Sequence, residues 1–356
     1  MDAAPIQQQL DLINQLWESP GAEEVAPDSF SLVSIHWHGY GWRQENDHFV
    51  ISPFVTSADK LALIEDRITR LVSATSDADK IRVEGLVAPF FSEIPEGDHG
   101  VMSNPLQPGN VVGVQGCHCP GTIGGFLTAQ RDGEEHESTW LLSNHHVLAE
   151  CGTNVQVLGA DHGVIGTEVI PVPLKLQDNA VDAAVVRVNN PAGIKAVYEG
   201  LGPVKEPDPR VLSQLRNGTE VSKLGIRTGV TSGEVFLHCP RVKVSDCTDD
   251  TRRVFQHQLA IISTGELFAD NTDSGSLVVA GLDPIGLLFA RTSETTETIP
   301  TTQRFQPPFF LANRWDLLTR ELSKAMQARS LSLMLERGTA APLEPVAQAV
   351  TAPASG

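Results

Sequence analysis

The sequence predicts a mainly β fold preceded by a small α/β unit and followed by a helix. Three observations predict it. From about residue 111 to 291, short apolar runs alternate with clusters of Gly, Asn, Asp and Pro, the texture of an all-β sandwich or a pair of barrels, not of βαβ units. The first third mixes helical and strand periodicities, and residues 312–336 return to helical spacing. At 356 residues the chain is long enough for one large domain or two modest ones, and 41% apolar with 20% charged residues is ordinary globular composition. The balance of 26 Lys+Arg against 44 Asp+Glu, net −18, argues against nucleic acid and against anionic membrane as partners.

Taken in order, residues 6–17 set Ile6, Leu10, Ile13 and Trp17 near helical spacing, ended by Ser19-Pro20. Phe30–Ile35 and Phe49–Val55 alternate as strands, and the polar stretch Arg43–Asp47 reads as the hairpin between them. Residues 57–75 form an amphipathic helix with Ser57 as N-cap, and a strand follows at Ile81–Pro89. Residues 96–110 are turn-rich and mark a boundary. Candidate strands then follow at Gly121–Thr128, Thr139–Ser143, Val155–Leu158, Gly163–Val169, Ala183–Val188, Glu220–Gly225, Ser232–Leu237, Val254–Ile262, Gly275–Ala280 and Ile285–Ala290. Asn313 opens the last helix, whose stripe of Trp315, Leu318, Leu322 and Met326 packs on the second barrel, and the Ala/Pro-rich tail is read as disordered. The organisation expected is an α/β unit over 1–105, a β domain over 106–312, a helix over 313–337 and a tail over 338–356.

The opening stretch MDAAPIQQQLDLINQLW has neither a basic n-region nor an apolar h-region, and no apolar run approaches the about 18–20 residues that span a bilayer. The five cysteines, Cys117, Cys119, Cys151, Cys239 and Cys247, are odd in number and are read as reduced thiols of a soluble cytoplasmic protein. His36, His38 and His48 are read as a solvated polar face, not a metal site. Cys117-His118-Cys119 with His238-Cys239 fits no zinc spacing, so no metal and no cofactor are expected. The clusters Glu134-Glu135 and Asp249-Asp250 are read as solvated loop faces.

Three stretches of the β region carry chemistry. Leu141-Leu-Ser-Asn-His-His-Val-Leu-Ala149 runs from a strand into a turn of helix, Val181-Asp-Ala-Ala-Val-Val-Arg-Val188 is a strand opened by one acid, and Asn271-Thr-Asp-Ser-Gly-Ser-Leu-Val-Val279 is a tight turn feeding a buried strand. A serine hydroxyl becomes a nucleophile when a histidine takes its proton, and a buried carboxylate fixes that imidazole. The order His, Asp, Ser is the chymotrypsin-type order, and no GxSxG elbow is present. The residues alone leave His145 beside His146 and Asp178 beside Asp182.

These stretches resemble the trypsin-like (chymotrypsin-fold) serine peptidases in a bacterial cytoplasmic form, a group that includes the plant narrow-leaf-type peptidases. Gly121-Thr-Ile-Gly-Gly-Phe-Leu127 resembles that group's first barrel strand, Lys223-Leu-Gly-Ile-Arg-Thr-Gly-Val-Thr-Ser-Gly-Glu-Val235 its KxGxxTGxTxGxV box, and Ile285-Gly-Leu-Leu-Phe-Ala290 its cleft-lining strand. Gly109-Asn-Val-Val-Gly113 follows its leader region, and the likeness covers about residues 30–320. It implies a chymotrypsin-like double six-stranded barrel acting on protein or peptide substrates. It implies Ser274 as nucleophile, His146 as general base because it directly precedes the Val of its box, and Asp182 as the orienting acid. It also implies that the backbone N–H groups of Thr272 and Ser274 form the oxyanion hole, with Phe268 at the base of the specificity pocket and Phe289, Ala290 and Arg291 on its wall. No acidic residue falls at that base, which disfavours Lys or Arg substrates and points to a hydrophobic or small side chain. The family has glycine where Thr272 stands, so the hole is either collapsed at rest or reached by another backbone route. Cys119 or Cys151 could pair near the histidine in an oxidising setting. Such groups occur in stress or phage-defence settings, which implies a regulatory partner. The competing expectation is a catalytically silent peptidase-fold scaffold.

Overall fold

In the computed structural model, which describes residues 6–18, 37–75, 78–88, 91–93, 106–117, 119–153, 155–159, 163–246, 251–292 and 305–335, strands dominate. The first part holds helix α1 (Gln7–Glu18), the hairpin β1 (Trp37–Glu45) and β2 (His48–Val55), helix α2 (Ala58–Ser73), and the short strands β3 (Ile81–Val83), β4 (Leu86–Val87) and β5 (Phe91–Glu93). The middle holds β6 (Val111–Val114), β7 (Gly121–Thr122), β8 (Gly125–Arg131), β9 (Ser138–Ser143), helix α3 (His145–Leu148), β10 (Val157–Gly159), β11 (Val164–Gly166), β12 (Val169–Pro171) and β13 (Ala184–Arg187). The last part holds α4 (Pro209–Gln214), β14 (Thr219–Gly225), β15 (Gly229–Ser245), β16 (Arg252–Ser263), β17 (Leu277–Ala280), β18 (Asp283–Thr292), β19 (Phe309–Arg314), α5 (Trp315–Met326) and β20 (Ala328–Leu333).

Period-two apolar patterning closes the last part into a ring. Strands β14, β17, β18, β19, β16 and β15 are hydrogen-bonded in that order, and β15 pairs back onto β14. Alternate residues of these strands, Val221, Val235, Leu259, Ile261, Leu277 and Leu287, fill one core. The middle part is a second β unit of two sheets, β11-β10-β6-β7 and β12-β13-β9-β8-β20. They share a separate core that includes Val112, Phe126, Leu141, Val147, Val157, Ile165 and Val186. The fold is mainly β with a C-terminal helix, as the sequence predicts.

The first part is not a bead on a linker. Strand β1 adds to the barrel sheet through β15, with Gly39 opposite Val242 and Trp42 opposite His238. Helices α1 and α2 cover the added hairpin through Ile6, Leu10, Ile13, Ile64 and Ile68 against Trp37, Tyr40 and Ile51. The boundary expected over 96–110 falls partly on residues outside the described ones, as do Phe30–His36, Asp249-Asp250 and the 338–356 tail.

Several expectations are corrected. The first hairpin strand is Trp37–Glu45, so Arg43 lies in β1 and not in a turn; its fully buried guanidinium is paired to Glu45 (2.8 Å) and Glu84 (2.6 Å). Ser57 stands at the N-cap of α2 without a side-chain capping bond. His38 is buried, not solvated: its ring lies against Phe54 and Phe91, and its Nε2 is 3.1 Å from Ala88 O. Glu134 is paired to Arg187 (3.1 Å) instead of standing free in a loop. The last helix spans only Trp315–Met326, because Gln327 turns into the left-handed region at φ 54° and caps it. The alternating Ala-Arg-Ser-Leu-Ser-Leu that follows becomes β20, which extends the middle unit's sheet along β8. Trp315, Leu318, Leu322 and Met326 are buried in the core shared with the barrel, as expected.

Candidate active site

The site begins where β9 ends. Asn144 leaves the strand at φ −77°, ψ 160°, and the single helical turn of α3 starts at His145. The free N–H groups of that turn face a carboxylate. His145 N donates to Asp182 Oδ1 at 2.6 Å and His146 N to the same oxygen at 3.3 Å. The second oxygen, Oδ2, lies 2.6 Å from His146 Nδ1, and both side chains are buried. Burial alone would raise the Asp182 carboxyl; the charge and hydrogen bond of His146, aided by His145, outweigh it and hold the group below the usual carboxylate range.

Asp182 is fixed from behind. Its N–H donates to Asn313 Oδ1 (3.0 Å), while Asn313 Nδ2 and Asn144 Nδ2 both donate to its carbonyl (2.9 and 2.8 Å). Asn313, expected as a helix cap, lies in β19 and clamps the strand that carries the acid. The rival acid, Asp178, is exposed and paired to Arg241 and Gln256. His145 turns its Nδ1 to Val172 O at 2.9 Å, away from the Asp182 side chain. The structure therefore joins His146 to Asp182.

Ser274 reaches this wall through Thr122. Thr122 N donates to Ser274 O (2.7 Å), Thr122 Oγ1 to Thr272 O (2.8 Å), and Ser143 Oγ, two residues before the helical turn, to Thr122 O (2.9 Å). The turn fits because Gly275 has no side chain: at φ 93°, a Cβ there would stand 2.2 Å from Ser143 Oγ and 2.3 Å from Thr122 O. The Ser274 hydroxyl is buried and donates a long hydrogen bond to Phe289 O at 3.4 Å.

Thr272 adopts φ 74°, the left-handed region that glycine would take without strain. The backbone thus reaches the glycine-like conformation despite a β-branched residue. Asp273 N donates within the turn to Asp270 O (3.0 Å). Among the described residues, the N–H groups of Thr272 and Ser274 on either side of it donate to no protein acceptor. Two unused donors, one on Ser274 and one two residues before it, are the chemistry an oxyanion requires.

The turn is anchored by a pair that sequence reasoning missed. The Asp273 carboxylate accepts from Arg227 N (2.8 Å), Asp270 N (3.0 Å), Thr228 Oγ1 (2.7 Å) and Lys223 Nζ (3.1 Å). Lys223 and Asp273 are both fully buried, and burial pulls the ammonium down while Asp273 opposes it. Gly225 makes the room, since a Cβ there would stand 2.2 Å from Asp273 Oδ1. The signal was present as a lysine on the inward-facing register of a short strand, where a cation is retained only with a partner.

Of the expected pocket residues, Phe268, Phe289 and Ala290 are fully buried. The Phe268 ring packs on Phe310 and the Phe289 ring on Phe255, so neither faces an open cleft. Arg291 spans from β18 to the turn that bears Ser274 through Asp270 (3.1 Å) and Asn271 Oδ1 (3.1 Å). The expectation of reduced thiols is overturned for one pair: the loop after β6 meets the end of α3, and Cys117 is joined to Cys151 with Cα atoms 6.0 Å apart. That bond removes the cysteine argument for a cytoplasmic location. Among the described residues, Cys119 and Cys239 are in no disulfide. Among the described residues no group of three His, Cys, Asp or Glu gathers as a metal site, and no helix is long and apolar enough to cross a membrane.

No family model matches the chain, and no curated protein matches it. Similar solved structures include Protease A of Thermobifida fusca, at 15% identity over 65% of this chain and 98% of that one, with a TM-score of 0.39. A Nocardiopsis protease matches at 14% identity over 65% and 99%, TM-score 0.41. The chymotrypsin of Cellulomonas bogoriensis matches at 16% identity over 64% and 98%, TM-score 0.38.

Proposed function

We propose that this chain is a serine peptidase that cleaves peptide bonds through an acyl-enzyme. The observation that carries the reading is the buried His146–Asp182 contact of 2.6 Å, together with a turn in which the N–H groups of Thr272 and Ser274 donate to no protein acceptor. On attack, the Ser274 hydroxyl gives its proton to His146 Nε2 as Oγ bonds to the substrate carbonyl carbon. The carbonyl oxygen becomes an oxyanion held by the N–H groups of Thr272 and Ser274. Asp182 keeps Nδ1 protonated and stabilises the imidazolium. His146 then protonates the departing amine, and water repeats the sequence to release the acid and restore Ser274. No step calls for a metal or cofactor.

A fluorophosphonate probe tests the reading. Labelling of the parent chain at Ser274, abolished in Ser274→Ala and in His146→Ala, is the expected result. The scaffold reading is favoured by one observation, the buried Ser274 hydroxyl turned to Phe289 O. Absence of labelling in a folded parent chain under every condition would establish that reading instead.

A further inference from the structure

Strand β18 has two edges near Ser274. On one, Leu288, Ala290 and Arg291 pair with β19. On the other, β17 reaches only as far as Leu287, which would leave the backbone from Phe289 onward open. That stretch is the backbone nearest the nucleophile, since Phe289 O is the acceptor of the Ser274 hydroxyl. The edge is filled by the chain's own β5: Phe91, Ser92 and Glu93 run antiparallel to it, opposite Thr292, Arg291 and Ala290.

The polarity of that strand is informative. A peptide cleaved at Ser274 must lie extended, with the residues before the scissile bond running N to C toward the nucleophile. Extended backbone satisfies its N–H and C=O groups by adding to a sheet edge. Strand β5 has this direction, because its C-terminal residue, Glu93, stands opposite Ala290, next to Phe289. Its N-terminal end is held by the buried ring of Phe91, 5.5 Å from Phe54 and 5.8 Å from His38. Its far edge is paired in parallel with Val244 and Ser245 of β15.

We propose that β5 is an autoinhibitory strand: it occupies the Ala290–Thr292 edge of β18, beside Ser274, to which an extended peptide would otherwise add. The closed chain keeps the His146–Asp182 contact and has its β18 edge covered. A peptide enters only when β5 leaves. This inference rests on the peptidase reading, and the test separates the two.

Two phosphonates with one warhead are used on the full-length chain, one bearing a short alkyl group and the other a mixed tetrapeptide. The first needs only Ser274 and its oxyanion donors; the second also needs the β18 edge. In the unmodified chain the alkyl probe labels and the peptidyl probe labels at least about tenfold more slowly. Ser92→Pro, which removes an N–H from β5, raises peptidyl labelling by about tenfold or more while circular dichroism stays unchanged. Phe91→Ala, which frees the anchor, carries the same test where the proline variant does not fold. Equal labelling of the unmodified chain by both probes overturns the proposal and leaves the peptidase reading standing. A folded variant that still refuses the peptidyl probe overturns it as well. Silence of both probes in every variant overturns the peptidase reading itself. Hydrogen exchange of the unmodified chain needs no substitution: Ala290–Thr292 amides exchanging as fast as exposed loops contradict an occupied edge.

Discussion

At φ 74°, Thr272 holds a β-branched side chain in a conformation that costs about 1–2 kcal/mol for an L-residue. Its carbonyl is fixed by Thr122 Oγ1, which sets the peptide plane leading to Asp273. Glycine would relieve the strain but lose about 0.5–1 kcal/mol to the freer unfolded chain. Thr272→Gly is therefore expected to stay within about 1 kcal/mol of the parent in urea unfolding and to keep fluorophosphonate labelling. A drop in labelling beyond tenfold in that folded variant would mean the threonine side chain serves the site, not its N–H. Asp182 makes a different demand, since its two oxygens meet three donors of α3. In Asp182→Asn the amide cannot hold the Nδ1–H tautomer, and peptide hydrolysis should fall by about 10³–10⁴ at neutral pH. A loss below tenfold would remove Asp182 from the reaction.

Between elements, the turn that bears Ser274 is held by the buried Lys223–Asp273 pair joining β14 to the residue before Ser274. Removing one partner leaves the other charge buried and alone. Lys223→Met should therefore cost about 3–5 kcal/mol of stability and depress labelling at Ser274. Adding Asp273→Asn should recover part of the stability without restoring labelling, because the N–H groups that gather on the carboxylate shape the turn. A Lys223→Met chain as stable and as readily labelled as the parent would show that the pair does not position the turn. This pair also marks where reading the sequence stopped. The stretches that hold His146, Asp182 and Ser274 stand out as short strand-and-turn patterns that can be read locally, while the choice of His146 over His145 and of Asp182 over Asp178 comes from the resemblance. The partners that hold them do not stand out: Lys223 meets Asp273 across 50 residues and Asn313 meets Asp182 across 131. Strand β5 was hidden likewise, because it is three residues long and its pairing with β18 is tertiary. The Cys117–Cys151 bond was missed because an odd cysteine count argued for free thiols, and only the fold brings those two loops together.

Across the whole molecule, the first part is joined to the barrel along the β1–β15 seam, and that seam carries two histidines that burial keeps neutral. His38 on β1 and His238 on β15 are both pushed down to about 3, first by burial and then by cations: Lys243 and Arg252 near His38, Arg314 and Arg216 near His238. The unfolded chain binds a proton at each below its ordinary value of 6.5, whereas the folded chain does so only near 3. The unfolded state thus holds more protons through that window, and stability falls as pH drops through it. Each group contributes about 1.4 kcal/mol per pH unit, so the two together give about 2.7. The Asp182 contribution has the opposite origin. Its lowered carboxyl stabilises the fold above the ordinary carboxylate range and is lost only as pH falls through its depressed value, after the histidines have acted. Between pH 6.5 and about 3 the two histidines together remove about 9–10 kcal/mol, so a stability of about 5 kcal/mol, the low end for a typical domain, is lost by about pH 4.5. Urea midpoints measured from pH 8 to 5 should be level above 7 and fall steeply below 6.5. His238→Phe, which keeps a ring against Trp42 at the seam, should roughly halve that slope. A parent chain whose midpoint stays level from pH 7 to 5 would mean that these imidazoles reach water or find a partner, and that the seam is looser than its packing implies.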